Sequence, residues 1–239
     1  MLSSSTGTSA EQVRADFDRI AVVSAREHED LGPYSKFLLG HVPGNCGRAL
    51  EIGCGLGAFA RLVAGRANSV TAVDVSREML RVGVERSRAY PNLQFILGDF
   101  LRLDLPPETY DCIVTTTTLH HLPLAEALGK IRSLLRPSGV LILHDLLDPD
   151  GLFDTALNFI RLPVSYAARF RRIGRFRQRR EVRTAWDEHG RHETYLKPAD
   201  VRALRDEYFP GALVRLHLLW RYTIVWRKDG GAAQVRTRR

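Results

Sequence analysis

Four short groups of residues in this chain of 239 have the types and spacing to do chemistry. Ala49-Leu50-Glu51-Ile52 runs straight into Gly53-Cys54-Gly55-Leu56-Gly57, three alternating glycines behind an apolar strand. Glycines at such a turn let the backbone bend sharply and let a ligand approach the main chain with no Cβ in the way. At the end of a strand in an open parallel sheet, that ligand is of nucleotide type. The dehydrogenase fingerprint needs glycine at its first, third and sixth positions. Counted from Gly53 the sixth is Ala58, which the fingerprint tolerates, so the loop alone leaves a dehydrogenase open. His120-His121 and His144-Asp145 supply imidazoles and a carboxylate, the groups that serve as general bases. Neighbouring residues of a strand point to opposite faces, so only one of His144 and Asp145 faces a site easily, and Asp145 is favoured. His189-x-x-His192-Glu193 has metal-ligand residue types, but Gly190 interrupts the helix and no third partner is evident. No metal is assigned. With Trp186 and Tyr195, these residues are expected to line the substrate mouth or brace a cap.

The elements that must position these groups are legible from periodicity. Arg48–Ile52, Ser69–Asp74, Leu93–Leu97, Tyr110–Thr115 and Val140–His144 read as strands, with helices over Gly57–Arg66, Ser76–Ala89 and Leu124–Leu135 between them. Apolar strands of five or six residues alternating with helices imply a parallel sheet covered on both faces. From residue 148 the rhythm breaks. An arginine-rich, irregularly helical stretch leads to a helix from Pro198 to Tyr208, then to Ala212–Leu218 and Trp220–Arg227, two strands that close the sheet with an antiparallel edge. The expected fold is α/β: a Rossmann-like, doubly wound, mostly parallel seven-stranded sheet with an antiparallel C-terminal hairpin and a helical cap. Its expected parts are an N-terminal helical lid (1–45, helical around Ala10–Val23), a cofactor-binding core (46–147), an arginine-rich cap (148–197), a closing helix and hairpin (198–228) and a tail (229–239).

Glu51-x-Gly53-x-Gly55-x-Gly57 resembles motif I of the class I S-adenosylmethionine-dependent methyltransferases, and further matches follow in order. Asp74 ends the second strand in Val73-Asp74-Val75-Ser76, Met79 lies on the next helix, and Gly98-Asp99-Phe100 ends the third strand. Tyr110–Val114 and Thr115-Thr116 form the fourth, followed by Leu119-His120-His121-Leu122, a stretch similar to that of the ubiquinone/menaquinone-type small-molecule members. Leu135-Arg136-Pro137-Ser138-Gly139 matches the family's turn into the fifth strand, with Ser138 where the first of two glycines usually stands. The resemblance spans residues 47 to 146, and more loosely the chain to 228. It implies S-adenosylmethionine as cofactor and S-adenosylhomocysteine as product. Glu51, Gly53, Cys54 and Gly55 would form the cofactor loop, Asp74 with Val75 would take the ribose hydroxyls, Met79 the adenine face, and Asp99 with Gly98 and Phe100 the adenine amino group. Thr115, Thr116 and His120 would complete the pocket. The segment from Phe17 to Tyr34 is similar to the lid of the same group, so Tyr34 or His28 would close over the methionine part, and His28, Trp186 and Tyr195 would meet substrate.

A cationic sulfur activates the methyl group in advance, so the protein must hold a nucleophile in line and exclude water. Positioning of this kind supplies roughly 7–11 kcal/mol. His120 and Asp145 are the candidate catalytic groups. The net charge is +8, with arginines concentrated between Arg161 and Arg183 and again after Arg227, which keeps an RNA acceptor in view. Against it, Thr115–Thr118 stands where amino-methylating DNA enzymes carry Asn/Asp-Pro-Pro-aromatic, no cysteine follows a proline, and no RNA-binding module is evident. The stretch Leu152–Arg180 mixes apolar residues with arginines and offers peripheral contact with a membrane, although Pro163 argues against one continuous helix. Cys46, Cys54 and Cys112 form no C-x-x-C pair, which excludes a zinc ribbon or a disulfide framework. No signal peptide or transmembrane run is read, so a cytoplasmic location is expected. The expected function is methyl transfer to a small molecule, O-methylation ahead of C- or N-methylation. The rivals are an RNA methyltransferase, a non-catalytic S-adenosylmethionine-binding protein and a dehydrogenase.

Overall fold

The computed structural model describes residues 10–25, 27, 29, 31–148, 162–172, 174, 179–191 and 193–228. His28, Arg161, His192 and the tail 229–239, all singled out in the sequence, lie outside them. Five strands run parallel: β1 (Cys46–Ile52), β2 (Ala67–Asp74), β3 (Leu93–Leu97), β4 (Tyr110–Thr116) and β5 (Leu135–Leu146). β6 (Leu213–His217) and β7 (Arg221–Arg227) form the antiparallel edge, and the order across the sheet is β3-β2-β1-β4-β5-β7-β6. Strand order reverses between β1 and β4, which opens a crevice at the carboxyl ends of those two strands.

Alternation along the strands divides the core between the two faces. Leu50 and Ile52, Ile113, Leu141 and Leu143 pack with Ala127, Leu128 and Ile131 of helix α5 (Leu124–Leu134) and with Val201 and Leu204 of α8 (Pro198–Tyr208). Ala49, Cys112, Val114, Val140 and Ile142 pack against Phe59, Ala60 and Val63 of α3 (Ala58–Ala64). Both faces are therefore buried, and each Leu or Ile so placed contributes about 1.5–3 kcal/mol.

Most element boundaries shift by one to three residues from the sequence reading, and two differences have a clear cause. β5 begins at Leu135 rather than Val140, because Tyr110 pairs with Leu135 and, after an irregularity, Cys112 pairs with Val140. The Pro137-Ser138-Gly139 turn is a bulge within that strand. Ser138 adopts φ +64 there, and a Cβ on Gly139 would lie 2.9 Å from the Arg136 carbonyl oxygen. Gly190 does not interrupt helix α7; it is the last residue of Arg180–Gly190. Residues 162–172 are helical (α6), with Pro163 among them.

Helix α1 (Ala10–Ser24) lies across α4 (Arg77–Arg86) and α7, with Ile20 and Ala21 buried against Met79 and Ala185. Asp18 latches it: Oδ1 accepts from Ser76 Oγ at 2.6 Å and from the Glu78 N–H at 3.1 Å. Farther along, Glu29 pairs with both Arg61 and Arg86, so the segment after α1 is strapped over α3 and α4.

Candidate active site

The loop from Gly53 to Gly57 holds three glycines at φ +69, +52 and +72. This is the left-handed region, which glycine enters without a Cβ penalty. An ideal Cβ on Gly53 would stand 2.1 Å from Thr118 Oγ1, and one on Gly57 would stand 2.7 Å from the Phe95 ring. A Cβ on Gly55 would meet nothing within 4 Å. Two of the three glycines are thus required by packing, while Gly55 borders open space at the crevice.

Asp74, at the end of β2, faces this loop. Its Oδ2 accepts the Gly55 N–H at 2.7 Å and its Oδ1 accepts the Ser76 N–H at 2.9 Å. A carboxylate has about four acceptor positions, so two remain. Burial pushes its carboxyl up, against the opposing pull of the Ser76, Gly55 and Val75 backbone. Glu51 lies deeper, with Oε2 buried and without a hydrogen-bond partner. Burial first, then the charge of Asp74, raise its carboxyl from the usual 4.5 to about 8. A protonated Glu51 at neutral pH has a measurable consequence. Between pH 4.5 and 8 the folded chain binds a proton that the unfolded chain has lost, so stability falls as pH rises through this window. Glu51→Gln carries no such proton. In the cofactor-free protein its stability should draw ahead of the parent's as pH rises from 5 to 8.5, by on the order of 3–5 kcal/mol at the upper end, read as a widening gap in Tm. Parallel Tm curves for the two proteins would refute the buried-acid assignment.

The third acidic residue, Asp99, stands at the carboxyl end of β3 and accepts the Leu101 N–H at 2.9 Å, while Phe100 is buried in the core. Cys54 is buried beside the loop, Val75 is half-buried, and Thr115 Oγ1 is buried and without a partner. Thr116 accepts from Thr118 through its carbonyl at 3.1 Å, and the same Thr118 hydroxyl reaches the Gly53 carbonyl at 3.4 Å. Thr117, at φ +56, makes the corner.

Beyond that corner the short 3-10 turn Leu119–His121 carries both histidines. His120 Nδ1 lies 2.7 Å from Asp145 Oδ1, and the His120 N–H donates to Asp145 Oδ2 at 3.1 Å. The ionised carboxylate can only accept, so Nδ1 carries the hydrogen and Nε2 is left free. Burial would raise the Asp145 carboxyl, but His120 and the Leu146 and His120 backbone N–H groups outweigh it and hold it below its usual range. Asp145 was expected to face the acceptor itself. Instead it is fully buried with both oxygens engaged, and can act only through His120. His144 points to the opposite side, as alternation demands. It shares the Thr223 hydroxyl with His217, each at 2.8 Å. Burial, then Arg221 and His217, lower its pKa to about 3, so it stays neutral.

Around His120 the fold gathers Tyr195 (ring centroids 5.2 Å), His121 (3.9 Å) and, through His121, Phe17 and His189. Trp186 is partly exposed, edge-on to Phe17 at 6.2 Å. Tyr34 packs on the hairpin: its ring stacks on His217 at 4.2 Å and its hydroxyl accepts the Leu219 N–H, with His144 5.5 Å away. Met79 is covered by α1. The sequence reading missed Asp16, Asp18 and Thr118. Asp16 had a signal, since it interrupts the apolar stripe Val13, Ile20 of α1 at helical spacing and is nevertheless buried. Nothing marked Thr118.

Residues 49–139 match a family model described as a methyltransferase domain. Over 198 residues the chain is 27% identical to a protein named uncharacterized methyltransferase Rv0089 of Mycobacterium tuberculosis, covering 81% of this chain and 93% of that one. A malonyl-[acyl-carrier protein] O-methyltransferase of Halalkalibacterium halodurans is 35% identical over 111 residues, 44% of this chain and 41% of its own length. Among solved structures, the N-methyltransferase NodS of Bradyrhizobium japonicum superposes with a TM-score of 0.56 at 17% identity, over 91% of this chain and 98% of that one. The [4+2]-cyclase SpnF superposes at 0.59 and 16% identity, over 94% and 98%. At these identities the superpositions establish the fold and no more.

Proposed function

This chain is a class I S-adenosylmethionine-dependent methyltransferase, and from that premise we propose that it methylates a small-molecule acceptor, with a hydroxyl oxygen as the favoured nucleophile. The observation that carries the acceptor class is enclosure. His120, the group aimed at the acceptor, has a side chain only 8% exposed, beneath elements that include α1 and Tyr195. A ligand that reaches it must fit among Phe17, Trp186, His121 and Tyr195, a mixed aromatic and polar lining suited to a small organic molecule. The malonyl-[acyl-carrier protein] and demethylmenaquinone methyltransferases among the relatives support the same class.

The residues present fit the cofactor. Gly55 leaves room beside an unspent part of the Asp74 carboxylate, which suits ribose hydroxyls, and the unpartnered Glu51 Oε2 is left to hydrogen-bond a polar group of the ligand. Asp99 stands at the neighbouring strand end for the adenine amino group, beside Gly98 and Phe100. The bound cofactor supplies a methyl group already activated by its sulfonium charge. The chain's own task is to orient the acceptor and keep water away. Asp145 fixes the ring of His120 so that Nε2 faces the acceptor, and the pair activates the acceptor oxygen there. The exposed Arg171, Arg172, Arg179 and Arg180 supply a basic face outside this enclosure.

Two measurements test this. Calorimetry with S-adenosylhomocysteine should show one site per chain, with no binding of NAD. Transfer of labelled methyl should then appear in a small-molecule fraction, ahead of lipid extract and RNA. Label appearing only in RNA would overturn the small-molecule assignment, and absence of S-adenosylhomocysteine binding would overturn the cofactor.

A further inference from the structure

The side chains of His121 and Glu193 are each 95% buried, at 5% exposure, and both are polar. Neither His121 ring nitrogen has a hydrogen-bond partner, and neither does Glu193 Oε1. Groups of this kind cost about 1–3 kcal/mol each when buried unsatisfied, and native interiors hold few of them. Their surroundings suggest what is meant to satisfy them. His121 Nδ1 and Glu193 Oε2 stand 3.3 Å apart, close but without hydrogen-bond geometry. One donor atom from each of His120, His121 and Glu193 lies within 4.8 Å of the others. His189 Nε2 is 3.9 Å from Glu193 Oε1, beside this triad and near enough to join it as a fourth donor.

We propose that His120, His121, His189 and Glu193 bind a divalent transition-metal ion. The donor set is three imidazole nitrogens and one carboxylate oxygen, suited to Zn²⁺, Fe²⁺, Co²⁺ or Mn²⁺ rather than to Mg²⁺ or Ca²⁺, which take oxygen ligands. Ligand atoms about 2.1 Å from a shared ion stand roughly 3.3 Å apart in a tetrahedron, the separation already present between His121 and Glu193. The outer shell is also built. A metal-bound histidine ordinarily donates its other ring N–H to a carboxylate. His120 does so to Asp145 at 2.7 Å, and His189 to Asp16 at 3.2 Å, which leaves each Nε2 for the ion. The four ligands come from the turn after β4, the end of α7 and the loop before α8, so only the folded chain assembles them. Binding needs no assumption about the acceptor. On the methyl-transfer reading, His120 Nε2 would then act through the ion it ligates and not as a free base: the ion would hold the acceptor oxygen and acidify its proton, which leaves to solvent.

The test uses full-length protein without a histidine tag, stripped with chelator and then titrated with Zn²⁺ and, separately, Co²⁺. One equivalent of Zn²⁺ should remain after gel filtration and raise the Tm, and Co²⁺ should give the visible absorption of a low-symmetry N/O site. His121→Ala and the near-isosteric Glu193→Gln should each weaken Zn²⁺ binding at least ~100-fold, while Asp16→Asn should weaken it about 10–100-fold. S-adenosylhomocysteine affinity, measured on the same samples, reports that the variants remain folded and tests the cofactor separately. Substoichiometric Zn²⁺ in the parent, or stoichiometric Zn²⁺ that neither His121→Ala nor Glu193→Gln weakens, would overturn the site.

Discussion

Gly53→Ala is expected to lose S-adenosylhomocysteine binding and to lower the Tm by about 5–15 °C. Two costs add. The residue sits at φ +69, which charges a Cβ roughly 1–2 kcal/mol. The Cβ would also lie 2.1 Å from Thr118 Oγ1 and 2.3 Å from its methyl carbon, overpacking that costs typically about 1–3 kcal/mol. Thr118 cannot yield freely. Its hydroxyl is tied to the Thr116 and Gly53 carbonyls, and its own carbonyl accepts the His121 N–H at 3.0 Å. Moving it therefore displaces the turn that carries His120 and His121. Gly55→Ala isolates the dihedral cost, because its φ is also positive but its Cβ enters open space. That variant should stay folded, with a Tm deficit less than half as large, and lose affinity only because the ligand needs the space. Equal Tm losses for the two variants would show that the clash with Thr118 does not operate.

His120→Asn should lower the turnover number about 10²–10⁴-fold, the usual size of a contribution from a positioned imidazole, with S-adenosylhomocysteine affinity changed by only a few-fold. Asparagine is chosen because its amide N–H can still donate to Asp145, whose carboxylate is 1% exposed and would be costly to strand. The lost function is then that of Nε2 alone. Asp145→Asn supplies the complementary arm. It leaves the imidazole in place but removes the charge that sets its tautomer, so it should lower turnover in the same direction without abolishing folding. A His120→Asn enzyme with full turnover would remove His120 from the reaction and leave the pair a structural brace.

The distinction between these residues also marks where sequence alone sufficed. The strands, the glycine loop and the acidic residues at the ends of β2 and β3 were legible because each depends on local pattern. Near-continuous apolar runs mark strands that are buried on both faces. The spacing of glycines sets where the backbone turns left-handed. An acid placed straight after an apolar strand of a parallel sheet comes out at its carboxyl end. His144 and Asp145 facing opposite ways followed from the same period of two, as did the antiparallel hairpin from two strands and a short turn.

What the tertiary structure alone decided is which side chains meet. Asp145 was legible as a group near the crevice, yet its partnership with His120 depends on the register between β4 and β5, where Thr116 pairs with His144. His121 meets Glu193, and His189 meets Asp16, across separations that no spacing rule spans. The sequence suggested a cluster along His189-x-x-His192-Glu193; the fold keeps His189 beside Glu193 and brings the histidines after β4 to them. Tyr34 was singled out by resemblance to a lid; its stacking on His217 and its bond to the Leu219 N–H depend on where the chain after α1 meets the hairpin. Local periodicity fixes the direction a side chain leaves its own element. The crossing of elements, set by how both faces of the sheet are covered, determines what it finds there.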